Sequence, residues 1–291
     1  MVFRKSADLL KQSFNVLKQD KQLLIFPMLS SIACFAVMIS FATPLIAYAI
    51  AKNVAANYGN HQLSAGFRGV GLVVSFLFYF VNYTVIVYFN TALVSCAIDR
   101  FEGREPTVAR GMRAATALLP QILGWSLLSA TVGMILRLIG ERSGIIGNIV
   151  TALIGAGWTI ATYFVVPVLV VEKVGPVNAV KRSVSVLSKT WGTALVSNIG
   201  LGIINFLLVI ACLIPFGAGL AISIATSNWI AVVVGGVFTF VLLVLFTLIT
   251  SAMQMILVAA LYRFASGGVA PAGFDEGALR RAFAPKKTAV N

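Results

Sequence analysis

The sequence predicts an all-α fold, a polytopic transmembrane helix bundle of about six spans with basic helices along one membrane face. Three observations carry this. First, 59% of the 291 residues are apolar and only 11% are charged, whereas a soluble domain has roughly half and a quarter; such a chain cannot clothe a water-facing surface. Second, the apolar residues fall into six runs bounded by charges, at about 23–50, 69–98, 114–136, 145–171, 193–225 and 229–262. Each is long enough to cross a hydrocarbon core of about 30 Å, which takes ~20 helical residues. Third, none shows the strict alternation of a membrane barrel strand, for which ~10 residues would suffice.

The first run follows Arg4, Lys5, Lys11, Lys18 and Lys21. It is too long for a signal peptide and no small-residue cleavage site follows closely, so it reads as a retained anchor. Basic residues in short loops stay on the cytoplasmic side. With the amino terminus inside, the inner segments carry five, four, four and five Lys or Arg, and the outer loops hold only Lys52, Arg68, Arg137 and Arg142. Eighteen against four places both termini in the cytoplasm, with a bacterial inner membrane as the expected location. The net charge of +13 then describes topology and an affinity for anionic headgroups, worth about 1 kcal/mol per basic residue near the surface. It does not describe a nucleic-acid patch, because the charges flank spans and do not cluster on a soluble domain. Residues 1–264 form a single membrane domain on this reading, and 265–291, rich in Gly, Ala and charge, a flexible tail.

The stretch LKQSFNVLKQ at 10–19 is echoed by VKRSVSVLSK at 180–189, with Lys11 on Lys181, Ser13 on Ser183, Val16 on Val186 and Leu17 on Leu187. Over 3–19, the apolar Phe3, Ala7, Leu10, Phe14 and Leu17 recur at helical spacing opposite Arg4, Lys5, Lys11 and Lys18. Over 177–191, Val177, Val180, Val184, Leu187 and Trp191 do the same opposite Lys181, Arg182 and Lys189. Pro176 suits the first turn of the second helix. Both helices are expected to lie on the cytoplasmic face with the apolar side at the headgroup boundary. A third, weaker copy runs from Pro106 through Arg110, Arg113 and Leu118. The predicted unit is a basic amphipathic helix followed by a transmembrane hairpin, repeated three times. The membrane-interface residues are Lys11, Lys18, Arg110, Arg113, Lys181, Arg182 and Lys189.

The segments LKQSFNVLKQDKQLLIFP and VGPVNAVKRSVSVLSKTWG, each running into a span, resemble an uncharacterised family of bacterial six-span membrane proteins. More distantly, they are similar to the membrane domain accompanying some glycerophosphoryl diester phosphodiesterases and to Yip-type proteins. The resemblance implies a fold and a membrane address and supplies no catalytic residue.

Chemistry is sparse. The span interiors hold no Asp, Glu, Lys, Arg or His, the residues that mark ion and proton pathways. The lone His61 sits in the outer loop, far short of the three or four donors a metal needs. Cys34, Cys96 and Cys212 are isolated, and read as small packing residues. Asp99, Glu102 and Glu105 among Arg100 and Arg104 read as a solvated ion-pair cluster. No catalytic, cofactor or metal site is predicted and the protein is not expected to be an enzyme. The intramembrane polar residues are Asn82, Asn90, Gln121, Asn205 and Gln254, whose first role is interhelical hydrogen bonding. Small residues four apart, at Ser126, Ala130, Ser129, Gly133, Ala152, Ala156, Gly157 and Ala161, are expected to let spans three and four approach closely. Pro27, Pro44, Pro120, Pro167 and Pro215 fall in spans, where end-of-helix bending is expected. The expected function is a non-enzymatic membrane-organising or accessory protein. Its partners are the bilayer, anionic headgroups and a possible cytoplasmic protein, and the alternative is a channel or carrier for a small neutral or amphiphilic solute.

Overall fold

The computed structural model describes residues 2–57, 61–142, 144–188, 206, 208–226 and 229–283. Among them there is no strand. The helices are α1 (Val2–Gln19), a 3-10 turn (Lys21–Leu24), α2 (Ile25–Asn57), α3 (His61–Phe101), α4 (Val108–Ala117), α5 (Leu119–Arg142), α6 (Gly144–Ala161), α7 (Val165–Glu172), α8 (Pro176–Ser188), α9 (Ile214–Thr226), α10 (Ile230–Gly267) and α11 (Glu276–Phe283). Six candidate spans result: Lys21–Ala51, Gly69–Phe101, Leu119–Glu141, Gly147–Glu172, Leu208–Thr226 and Ile230–Gly267. Only 6% to 28% of the most apolar window of each is buried inside the protein, and Ile32, Phe35, Leu153, Ile224, Val234 and Phe240 are all more than half exposed. A surface this apolar is matched to hydrocarbon, not to water, so the chain is an all-α polytopic helix bundle.

The helices depart from the predicted runs where the chain changes direction. The start assigned to the third span is a separate helix, α4, opened by Thr107, whose Oγ1 accepts the Arg110 N–H at 3.3 Å. The fourth run is broken by a turn at 162–164. The outer stretch read as a loop is helical to Asn57 and again from His61; 193–205 of the fifth run lie outside the described residues. Four of the five span prolines sit in the first turn of a helix, Pro27 in α2, Pro120 in α5, Pro167 in α7 and Pro215 in α9. There no intrahelical N–H bond is lost; Pro167 and Pro215 follow turns at 162–164 and 213 inside their spans, and Pro44 is inside a helix.

The chain forms two compact units. One comprises residues 25–96 and 107–185. In it α2 and α3 pair antiparallel, with Phe41 edge-on to Phe78 at 5.6 Å between ring centroids. Helix α4 lies so close to them that a Cβ on Gly111 would stand 2.6 Å from Cys96 Sγ and 2.7 Å from Phe26 Cζ. Tyr88 reaches from α3 to Thr116, hydroxyl to hydroxyl at 2.8 Å. Helices α5 and α6 pair through stacked Trp125 and Trp158 at 5.9 Å. The break before α7 orphans its first N–H groups, and Phe164 has no side chain to cap them. Ser183 of α8 fills that role: its buried Oγ accepts the Phe164 N–H at 3.0 Å.

The other unit comprises residues 1–24, 97–106 and 186–291, as far as they are described. Helices α9 and α10 pair backbone to backbone. A Cβ on Gly219 would stand 2.5 Å from the Ala231 carbonyl oxygen, and one on Gly235 2.6 Å from that of Pro215. This is the small-residue packing expected of membrane helices, but the sequence placed it elsewhere. Ser126, Ser129 and Ala130 are indeed buried, yet Gly133, Ala152, Ala156 and Gly157 are exposed. Spans three and four meet in part through Trp125 and Trp158, stacked between α5 and α6.

Helix α10 has 38 residues, roughly 57 Å at 1.5 Å per residue, nearly twice the hydrocarbon thickness. Its two halves differ. Val234, Val237, Phe238, Phe240 and Leu245 are exposed, whereas Ala252, Met253 and every residue from Ile256 to Tyr262 are buried. The second half is covered by α1 and the 3-10 turn, and α1 in turn carries α11. The stretch expected to be a flexible tail therefore begins with order: Phe274, Ala278 and Leu279 are buried, and Gln12 Oε1 accepts the Asp275 N–H at 3.1 Å.

Gly219→Leu should destabilise the protein in detergent by about 1–3 kcal/mol through overpacking, while Gly217→Ala, with nothing within 4 Å of its new Cβ, should be nearly silent; thermal unfolding checks both. Ser183→Ala should cost about 1–3 kcal/mol because it removes the buried hydroxyl that accepts the Phe164 N–H. Ser13→Ala should cost well under that, since Ser13 only bonds back to Leu9 O of its own helix.

Candidate functional site: a charged layer at the helix ends

In the unit that holds α1, α10 and α11, a charged layer is assembled from chain segments far apart in sequence; α4 and most of α8 belong to the other unit. Helix α1 presents Leu9, Ser13, Val16 and Leu17, all at most 2% exposed, toward α10 and α11. Of the apolar residues expected at the headgroup boundary, Leu17 is buried and Leu10 half-buried; the side chains of Phe3 and Ala7 lie outside the described ones. Phe14 remains outward at 45% exposure, beside exposed Lys11 and Lys18. Helix α8 shows the same order of burial, with Ala179, Ser183, Val186 and Leu187 buried, Val177 and Val184 exposed, and Lys181 exposed. On α4, Gly111 and Ala115 are buried, and Arg110 and Arg113 are exposed. Arg182 is half-buried and pairs with Glu172 at 2.6 Å. Lys189 lies outside the described residues.

Where α1, α3 and α10 end, six charges meet. Arg100 pairs with Asp20 at 3.0 Å and donates to Gln19 Oε1 at 2.8 Å. Arg104 donates to Asp99 Oδ1 from Nε at 2.8 Å and also pairs with Glu102 Oε2. Glu102 Oε1 receives Arg263 at 3.0 Å. Three cations thus balance three carboxylates. Asp99 raises the Arg104 pKa above the usual guanidinium value, first by hydrogen bonding and then by charge, with Glu102 adding to it. Below the network, Phe101 meets Phe274 edge-on at 5.8 Å, both 8% exposed. Gly273 takes φ +90°, which suits glycine, and a Cβ there would stand 2.9 Å from Val16 Cγ2.

Beside Arg263 lies a cavity of about 390 Å³ lined by Phe101, Arg263, Ser266, Gly267, Val269, Ala270 and Pro271. Sequence reasoning found the acids and arginines of 99–104 and missed their partners Asp20 and Arg263. The available signal was the charge count, which had put all three segments on one side.

The intramembrane amides do not converge. Asn82 Nδ2 donates to Phe78 O of its own helix at 3.0 Å. Asn90 is half-buried and Gln254 exposed. Gln121 Oε1 is buried without a partner, and Asn205 lies outside the described residues. No hydrogen bond joins any two of them among the described residues. The described residues likewise contain no group of three His, Cys, Asp or Glu able to hold a metal.

Six apolar spans, each largely uncovered by protein, define a multi-pass membrane protein. Residues 69–273 match a family of unknown function, DUF6159, and the chain belongs to that family. The matched stretch contains 99–104 and Arg263 and stops short of α1 and α11. No curated protein matches the chain.

In a double-mutant cycle, Phe101→Ala and Phe274→Ala should couple by about 0.5–1.5 kcal/mol, as edge-to-face pairs do; chemical unfolding of the four variants measures it.

Proposed function

We propose that the protein is a non-enzymatic membrane-organising or accessory protein, with both termini cytoplasmic in a bacterial inner membrane. Its charged layer engages anionic headgroups and presents a docking face to a cytoplasmic partner. One observation carries this reading: α1 is fixed to α10 and α11 by its buried side while Lys11, Phe14 and Lys18 stay exposed together. The meeting of Asp20, Arg100 and Arg263 in one layer supports an even number of crossings between these segments, as the eighteen-to-four distribution of basic residues requires.

The burial order shared by Leu9, Ser13, Val16 and Leu17 with Ala179, Ser183, Val186 and Leu187 supports an internal repeat of amphipathic helix and hairpin. The distant likeness to the membrane domain accompanying glycerophosphoryl diester phosphodiesterases and to Yip-type proteins fits such an accessory role. The second reading, a carrier for a small neutral or amphiphilic solute, has in its favour the buried and unpartnered Gln121 Oε1, Ser126 Oγ and Ser129 Oγ along α5.

Two experiments separate them. Single cysteines at Phe14 and Val184 should be shielded from a water-soluble maleimide several-fold better in phosphatidylglycerol than in phosphatidylcholine bilayers. That difference should vanish when Lys11, Lys18 and Lys181 are changed to Gln; equal labelling in all four samples would remove headgroup engagement. Solute flux in proteoliposomes that falls in Gln121→Leu would replace the accessory reading by the carrier.

A further inference from the structure

We propose that the cavity beside Arg263 is an anion-binding site that takes a phosphoryl or carboxylate group, and that Arg263 is its recognition residue. The inference does not depend on the exposed lysines. Three features of the cavity fit such a group. Arg263 stands on its wall with a guanidinium that carries five N–H donors, and among the described residues its sole recorded partner is Glu102 Oε1 at 3.0 Å through one terminal nitrogen. The rest of the fork is available for bidentate contact with an oxyanion. Glu102 is itself divided, its other oxygen serving Arg104, so it does not claim the whole fork.

The opposite wall is the turn after α10. Gly268 takes φ +70° and its N–H closes the helix on Phe264 O at 2.8 Å, while the amides of Val269 and Ala270 bond to no described backbone carbonyl. Both residues line the cavity. Phe101 and Pro271 supply apolar flanks, suited to the carbon skeleton that carries the anion. At about 390 Å³ the space is of small-ligand size.

Depth favours an anion from the aqueous phase. With lipid covering the exposed half of α10, the roughly 18 Å that the helix advances from residue 251 to Arg263 carries the cavity beyond the hydrocarbon. A lipid phosphate at the rim and a soluble phosphate share the chemistry, and the experiment distinguishes them.

The test uses the full chain in nanodiscs and follows thermal unfolding. In phosphatidylcholine discs, sodium phosphate titrated against sodium chloride at constant ionic strength should raise the midpoint by about 2–4 °C. The rise should disappear in Arg263→Gln and shrink in Ala270→Leu, which narrows the cavity and leaves the Arg263–Glu102 pair in place. It should persist in Lys11→Gln with Lys18→Gln. A rise that appears only when phosphatidylglycerol replaces phosphatidylcholine, and needs Arg263, supports the same site with a lipid as the source. No rise with either probe, or an equal rise in wild type and both cavity variants, overturns the site. Neither result bears on headgroup engagement by Lys11, Lys18 and Lys181, which the cysteine labelling reads separately.

Discussion

The structure depends on a mismatch of length. Hydrocarbon about 30 Å thick accommodates ~20 helical residues, and α10 has 38. Its exposed half is the part that lipid can cover; the apolar side chains of the remainder must be covered by protein or left in contact with water. The apolar side of α1 supplies that cover, and α11 packs on α1. Burial of Leu9, Val16 and Leu17 on one side and of 256–262 on the other is therefore a single event, and the layer outside the bilayer exists because a span is too long for it.

Charge is organised around the same layer. Three arginines and three carboxylates neutralise one another at its edge, where partial exposure keeps each pair weak and their sharing of partners gives the set its geometry. Lys11 and Lys18 of α1 and Lys181 of α8 are exposed. The protein thus separates cations used for internal register from cations left for its surroundings. Only Arg263 stands at the boundary, in contact with Glu102 and with the cavity.

Much of the fold was legible in the sequence, because hydropathy is a one-dimensional signal and the bilayer imposes it directly. The spans at 23–50, 69–98 and 229–262 needed no knowledge of contacts. What stayed hidden was three-dimensional. Helical periodicity shows that Leu17 needs an apolar partner, but it cannot tell a lipid chain from another helix of the protein. Spacing by four marked Ala152 and Ala156 as readily as Gly219 and Gly235, yet a close approach requires that the facing helix also be bare, as Ala231 and Gly235 are. Prolines read as bends open helices, since a break in a span needs a neighbour such as Ser183 to receive the freed N–H, and that neighbour is 19 residues away. For the site, Asp99, Glu102 and Arg104 were visible as local neighbours, while Asp20 and Arg263 lie too far along the chain for any spacing rule.

The bond from Asp275 to Gln12 joins residues 263 positions apart, and this fixes an order of events during synthesis. Helix α1 is made before the five spans that follow it, yet its cover, the far end of α10 and then α11, comes only after them. Through the insertion of five spans α1 must wait with Leu9, Val16 and Leu17 unsheltered, until translation delivers the segments that close over it.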